Sequence, residues 1–410
     1  MRPGNPGKPI VPPVADEPVA GPHEDPKWRR KLRTSLLAWF DRNARQLPWR
    51  SDPTPYHVWV SEIMLQQTQV ATVLEYYRRF IAAYPTVGDL AAAEEHDLMR
   101  LWEGLGYYRR ARSMHAAAKL VVSQHDGQFP STYEEVLALP GIGRYTAGAI
   151  LSISGDQRLP VLEGNTVRVY SRWIGLRQDV QSTAGKAKLW EFAAMMLPRT
   201  GSGQFNQAAM ELGALICKPK SPACDTCPVQ KSCVAHSLGL QDEIPGKVSK
   251  VQYESRTEYG FVVPVIDSDR FLICRVPDGN RWAGLWDFPR CTDPNATTPT
   301  AAASALSHQL GIKIRPRRLI TTIKHAVTRY RITLQVHLAE PVALSDITLP
   351  SDAFRFVTSE HITDVPLSVT GRQIAQWIAE EKPASHRKGE ADLDPSDGSA
   401  VALSTRQKKT

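Results

Sequence analysis

STYEEVLALPGIGRYTAGAILSIS, residues 131–154, is two helical runs parted by a short turn, Leu139-Pro140-Gly141-Ile142-Gly143. Glycines at 141 and 143 free the backbone N–H groups of the turn to approach a phosphate closely, which predicts a helix-hairpin-helix. Glycines join many helix pairs for steric reasons alone, so the reading leans on the surrounding chain. On both sides, from Trp28 to about Ala235, apolar residues recur at helical spacing, as in Val60, Ile63, Met64, Val70, Val73, Leu74 and Tyr77. Residues 27–236 are therefore expected to form an all-α unit.

Further along, a polar link over 237–256 separates this unit from a different period. Tyr330, Ile332, Leu334, Val336 and Leu338 alternate with Arg331, Thr333, Gln335 and His337, the pattern of a half-buried strand. Similar β character at 260–266 and 271–276, with helical stretches near 301–310 and 370–380, makes 257–381 an α+β unit. The fold class is multidomain, as 410 residues exceed one typical core. Residues 1–26 and 382–410 are polar or rich in Pro and Gly and are expected to be disordered. A formal net charge of +8 suits a polyanionic partner, although charge alone decides little. No apolar run is long enough to span a bilayer, and MRPGNPGKPIVPPVADEP at the start lacks the apolar stretch of a secretion signal, so the expected location is cytosolic.

Four of the six cysteines, Cys217, Cys224, Cys227 and Cys233, stand in a C-x6-C-x2-C-x5-C arrangement. In a reducing compartment such spacing points to four thiolates around one metal centre rather than to disulfides. Zinc and an iron–sulfur cluster satisfy the same ligands on spacing alone. Lys218, Lys220 and Lys231 between them would suit phosphate contact or simply a solvated face.

Taken together, the hairpin, the cysteine pattern and Leu162-Glu163-Gly164-Asn165-Thr166 between them resemble the endonuclease III superfamily of DNA glycosylases. LPWR at 47–50, TPYHVWVSEIMLQQTQV at 54–70 and WEGLGYYRRAR at 102–112 resemble, within it, the adenine DNA glycosylases of the MutY type. The resemblance implies a structural [4Fe-4S] cluster on the four cysteines and a pair of acids at the glycosidic bond, one to protonate the departing base and one to stabilise an oxocarbenium-like sugar. It places Glu62 as the proton donor, with a pKa raised by apolar neighbours such as Trp59 and Ile63, and Glu163 as the second acid. The family carries aspartate at the latter position, so the carboxylate of Glu163 stands one methylene further out; a displacement of about 1 Å can cost on the order of 10²-fold in rate. Asn165 matches the asparagine beside that acid, and Tyr145 the active-site tyrosine, expected to hydrogen-bond that carboxylate. Bifunctional relatives carry at 145 a lysine whose amine forms a Schiff base and cuts the strand; tyrosine cannot, which predicts a monofunctional enzyme.

By the same resemblance Gln67 is the residue that intercalates when the base is flipped, Thr68, Leu105 and Tyr107 contact the orphaned purine, and Trp49, Arg50 and Gln207 line the adenine pocket. Arg109, Arg110 and Arg112 are equally readable as phosphate contacts or as ordinary surface arginines. Residues 282–289, WAGLWDFP, echo the Nudix-like domain by which this family senses 8-oxoguanine, and AAASALS at 301–307 lacks the metal-binding glutamates of a Nudix hydrolase. The family's recognition loop, Phe-Ser-His, matches Ile323-Lys324-His325, where the histidine alone is kept. The expected partner is double-stranded DNA holding adenine opposite 8-oxoguanine or guanine, handled by a cytoplasmic, nucleoid-associated monomer. Two other readings are a bifunctional glycosylase/lyase for oxidised pyrimidines and a non-catalytic mismatch-binding protein.

Overall fold

The computed structural model describes residues 21–246, 252–327, 329–343 and 353–385. The chain divides into two compact units that part between Gln252 and Tyr253. The first is all helix: α1 (Pro26–Asn43), α2 (Pro48–Ser51), α3 (Pro55–Leu65), α4 (Val70–Ala83), α5 (Val87–Ala92), α6 (Glu95–Trp102), α7 (Arg109–Gln124), α8 (Tyr133–Ala138), α9 (Arg144–Gly155), α10 (Gly164–Ile174), α11 (Thr183–Met196), α12 (Ser202–Leu215) and α13 (Val234–Ser237).

Local sequence sets the helix starts. Proline opens α1, α2 and α3, where its missing N–H costs nothing, and the hydroxyls of Thr54, Thr132 and Ser182 cap α3, α8 and α11. Apolar on nearly every face, α3 is buried from Val58 to Met64, and it packs against α4 and α9. A second core joins α1, α10 and α12 through Leu32, Leu36, Tyr170, Trp173, Phe205 and Leu212. These helices meet closely: a Cβ at Gly213 of α12 would lie 2.7 Å from the Asn165 Cβ of α10.

Order extends beyond the predicted boundaries. A single helical turn at Pro22–Glu24 lies within the stretch expected to be disordered, directly before Asp25, whose side chain accepts the Lys27 N–H and caps the start of α1. Residues 240–246 of the expected link pack on the helical unit, with Ile244 2 % exposed and its carbonyl taking the Arg172 Nε at 2.8 Å. At the other end the last helix, Val369–Ser385, runs on into the stretch expected to be a disordered tail; residues 1–20 and 386–410, and 247–251 of the link, lie outside the described residues.

The second unit holds β1 (Glu254–Val262), β2 (Arg270–Arg275), β3 (Trp286–Asp287), β4 (Arg290–Cys291), α14 (Pro299–Leu310), β5 (Pro316–Val327), β6 (Tyr330–Ala339), β7 (Phe354–Thr358) and α15 (Val369–Ser385). One sheet runs β4-β1-β6-β5 and a smaller one β3-β2-β7. β1 and β6 are parallel, Glu254 opposite Tyr330 through Val262 opposite Leu338; β5 and β6 are antiparallel. Alternation along β1 sends Tyr259 and Phe261 into the core with Ala302, Leu306 and Leu310 of α14, and Val262 into the core with Ile374 and Ile378 of α15. The β6 strand is half buried as expected over most of its length, with Ile332, Leu334 and Val336 buried between the exposed Arg331 and the partly exposed Thr333 and Gln335, and only toward its end is the second face covered, where His337 sits against the Tyr259 and Phe261 rings at 6.3 and 6.2 Å.

Candidate active site

Helical spacing assembles one cavity of about 310 Å³ in the first unit. From α3 come Val58, Ser61, Glu62 and Leu65, and from α12 Gln207, Met210, Glu211 and Ala214, each set one stripe of a helix. Trp49 and Arg50 of α2, Tyr145 near the start of α9, Glu163 and Asn165 at the start of α10, and Gln67 and Thr68 from the turn after α3 also line it. The predicted acids, tyrosine, asparagine and adenine-pocket residues thus meet in one place.

Glu62 is 6 % exposed, and burial drives its carboxyl up to about 7. Nearby Glu163 adds to the rise, while a hydrogen bond from the Tyr145 hydroxyl and the charge of Arg50 work against it. Trp59 and Ile63 are buried at 0 % and 4 % exposure on other faces of α3, and the apolar residues that share the cavity stripe with Glu62 are Val58 and Leu65. The helical step explains this, since neighbours in sequence point about 100° apart. Tyr145 donates to Glu62 Oε2, not to the carboxylate of Glu163.

Glu163 caps α10. Its Oε2 accepts the Asn165 N–H at 2.8 Å and its Oε1 the Thr166 N–H at 2.9 Å, and the Thr166 hydroxyl accepts the Glu163 N–H at 2.8 Å. The extra methylene is taken up by this fold-back, which keeps the carboxylate at the helix N-terminus, where the helix dipole favours negative charge. Burial raises its pKa, opposed by those backbone N–H groups and by Arg168. Arg168 in turn bridges the Asn165 Oδ1 and the Gly213 carbonyl, both at 2.8 Å, and the Cys217 carbonyl at 2.7 Å. One side chain therefore ties the floor of the cavity to the start of the cysteine loop.

Glu211 escaped the sequence reading. It is 1 % exposed and receives Arg45 at 2.7 Å and Arg50 at 2.9 Å. Although burial works to raise its pKa, the two guanidiniums hold it near 2, so it fixes Arg50 against the cavity as a permanent anion. The signal was present: a carboxylate one turn beyond Gln207, in the otherwise apolar run QAAMELGALI.

Two loops flank the mouth. Gln67 is exposed at φ 58°, and Tyr107 is 49 % exposed at φ 50°, so Tyr107 is no core residue; Leu105, at 5 % exposure, is buried. Arg110 joins these loops. Its Nη1 reaches the carbonyls of Ile63, Met64 and Gln66 at 2.6, 3.1 and 2.6 Å, and its Nη2 those of Leu105 and Gly106 at 3.4 and 3.1 Å. Burial pulls its pKa down to about 10. Turned inward, it satisfies the C-terminal carbonyls of α3. Arg110→Met should cost about 1–3 kcal/mol of stability, read by chemical denaturation, because those carbonyls lose their donor.

The hairpin joins α8 to α9 as expected. Gly141 has φ +80°, and a Cβ there would lie 2.6 Å from that of Ser113, so its need for glycine is steric; at Gly143 a Cβ would meet nothing within 4 Å. Cys217, Cys227 and Cys233 pack against the α1–α10–α12 core, and burial pushes the thiols of Cys224, Cys227 and Cys233 up. Arg172, 1 % exposed, donates to the Cys217 Sγ at 3.2 Å and otherwise to the carbonyls of Ile244, Lys218 and Pro219. Among the described residues no three His, Cys, Asp or Glu side chains converge tightly enough to hold a single metal ion.

In the second unit Ile323-Lys324-His325 is not a loop but part of β5, with His325 opposite Ile332 of β6. The half-buried Thr321, Ile323, His325 and Val327 alternate with exposed residues, a strand period that the match to a loop had masked. The His325 ring lies 5.8 Å from that of Trp282, which Arg281 and Arg290 also cover at 4.7 and 4.8 Å. Asp287 and Glu258, both buried, anchor those arginines.

Comparison with known proteins bears on both units. Residues 60–195 match the HhH-GPD superfamily of base excision DNA repair proteins, and 261–377 match the NUDIX domain. The chain is 34 % identical to the adenine DNA glycosylase of Rattus norvegicus, covering 87 % of this chain and 79 % of that one. It is 32 % identical to that of Homo sapiens over 86 % and 75 %, and 38 % identical to that of Buchnera aphidicola subsp. Schizaphis graminum over 62 % and 73 %. A solved thermostable thymine-DNA glycosylase aligns with TM-score 0.48 and 26 % identity, covering 52 % of this chain and 98 % of that one.

Proposed function

The chain belongs to the adenine DNA glycosylases, enzymes of base-excision repair that remove adenine, and we propose that its substrate is duplex DNA with adenine opposite 8-oxoguanine or guanine, from which it leaves an abasic site without cutting the strand. The observation that carries the chemistry is the pair Glu62 and Glu163 in one cavity with different surroundings. Glu62 is poised near neutrality and can hold a proton for the leaving base. Glu163, fixed by two backbone N–H donors at the head of α10, presents its carboxylate to positive charge developing on the sugar. Tyr145 orients Glu62 through its hydroxyl and offers no amine to the sugar. Arg50, clamped by Glu211, and Trp49 and Gln207 face the flipped base; Gln67 and Thr68 stand at the mouth, where a wedge must enter the stack. Phosphates would meet the hairpin at Gly141 and Gly143, the orphaned purine Leu105 and Tyr107, and the lesion strand His325. Such an enzyme works as a monomer at the nucleoid; among the described residues no helix is long and apolar enough to cross a membrane.

Cys217, Cys224, Cys227 and Cys233 would hold a [4Fe-4S] cluster. The donor set fits: a buried guanidinium needs a compensating anion, and Arg172 has beside it carbonyls and the Cys217 sulfur. Four thiolates could also hold one tetrahedral zinc, and the resemblance to the glycosylase family selects the multi-iron cage. Purified protein is expected to carry iron and acid-labile sulfide in equal amounts without zinc, and Cys227→Ser to lose the iron. Zinc in place of iron would reverse this assignment.

Strand chemistry is tested by borohydride trapping on the mispaired duplex. The expected result is no covalent adduct, with strand breaks appearing only after alkali; a trapped adduct would mean a lyase.

A further inference from the structure

A groove of about 550 Å³ elsewhere on the helical unit shares no lining residue with the active-site cavity. It is lined by Arg29, Arg30 and Arg33 of α1, by Arg158 just past α9 and by Arg199 just past α11, and, among the described residues, by no acidic one. Two of these guanidiniums converge on one atom: the Leu197 carbonyl, which takes Arg33 at 3.2 Å and Arg158 at 3.4 Å. Arg29 donates to the carbonyls of His23 and Glu24 at 2.7 and 2.9 Å. Partial burial lowers the pKa of Arg33, and the positive charges of Arg29 and Arg158 add to the fall. Leu197 closes α11, whose C-terminal dipole amounts to about half a negative charge, so it offsets only a fraction of five cations. Such a concave, uncompensated cluster concentrates the field that draws an anion in.

We propose that this groove binds the phosphodiester backbone of a stretch of DNA other than the one held at the hairpin. Arg158 lies beyond the end of the twelve-residue α9 and the hairpin before its start, a separation of about 18 Å along the helix, so the two contacts are distinct. Guanidinium forks match phosphate oxygens in pairs, and a DNA strand offers a charge at each step of its length, which suits five cations in one groove better than the scattered carboxylates of an ordinary peptide. The inference takes its polyanion from the adenine-glycosylase reading, and the test separates the two.

The triple substitution Arg33→Gln, Arg158→Gln and Arg199→Gln keeps hydrogen-bond donors at Leu197 while removing the charge. Binding to undamaged duplexes of about 15 and about 60 base pairs is measured across salt, alongside single-turnover adenine release from the short mispaired duplex. The long duplex should bind about tenfold more weakly, with the log–log salt slope flattened by roughly two to three, since each phosphate contact contributes about 0.9. Adenine release from the short mispaired duplex, and the affinity of the first short duplex bound, should stay unchanged. A long duplex that binds with unaltered affinity and slope overturns the proposal, as does a polyglutamate peptide that binds the wild type and not the triple variant while the long duplex is unaffected. Loss of long-duplex binding by an enzyme that releases no adenine would sink the catalytic reading and leave the groove. Excess unlinked short duplex tells the sources apart: two bound per wild-type chain and one per triple variant marks a separate DNA segment, and one per chain in both marks the flank of the same duplex. Arg199→Glu alone, at an exposed position, should give a smaller loss of the same kind if the triple variant folds poorly.

Discussion

Glu62→Gln is expected to slow adenine release by about 10²–10⁴-fold while mispaired duplex still binds, because the amide keeps the shape of the acid and cannot deliver its proton. The pH dependence follows from the same burial. With the carboxyl at about 7, single-turnover release by the wild type should fall as pH rises through that value, and the variant should lack this limb. The sign for stability is fixed too. Below the usual glutamate pKa both folded and unfolded chains hold the proton; above it the unfolded chain ionises first, so stability is lost progressively until pH passes about 7, by about 3 kcal/mol in all. Glu62→Gln should remove that loss in denaturation experiments over the same window. A wild-type rate flat from pH 5.5 to 8.5 would speak against a proton held at Glu62.

The second large effect belongs to Glu163. Glu163→Gln should lower the rate by about 10²–10³-fold, the usual cost of removing one group that stabilises transition-state charge. It also loses one cap hydrogen bond, since the amide nitrogen cannot accept an N–H, for a further stability cost of about 0.5–2 kcal/mol. Glu163→Asp separates these roles: aspartate is a strong N-cap and keeps the charge, so it should retain cap and activity together. If Glu163→Gln is as fast as the wild type, the carboxylate at 163 is a cap and nothing more.

Much of the site was legible because the relevant residues lie in contiguous motifs. LPWR, the run from 54 to 70, and the stretch around Glu163 each contribute a short piece of wall, and the cavity collects them. Residues whose meaning depends on a partner far along the chain were not. Glu211 becomes an anchor only when folding brings Arg45 and Arg50 against it, 166 and 161 residues away in sequence. Arg110 reads as one of three surface arginines until the end of α3 places its carbonyls within reach. Tyr145 was likewise assigned to Glu163 and pairs instead with Glu62, 83 residues away, and helical phase, not proximity in sequence, decided that Val58 rather than Trp59 shares the cavity with Glu62. In the second unit the alternation along β6 signalled a half-buried strand but not the burial of its other face at His337 and Ala339.

The most direct measurement is single-turnover adenine release from three duplexes with adenine opposite 8-oxoguanine, guanine or thymine, scored by alkali cleavage. Rapid release from the first two and none from the third is the predicted result; equal release from all three, or none from any by protein that binds them tightly, would contradict it.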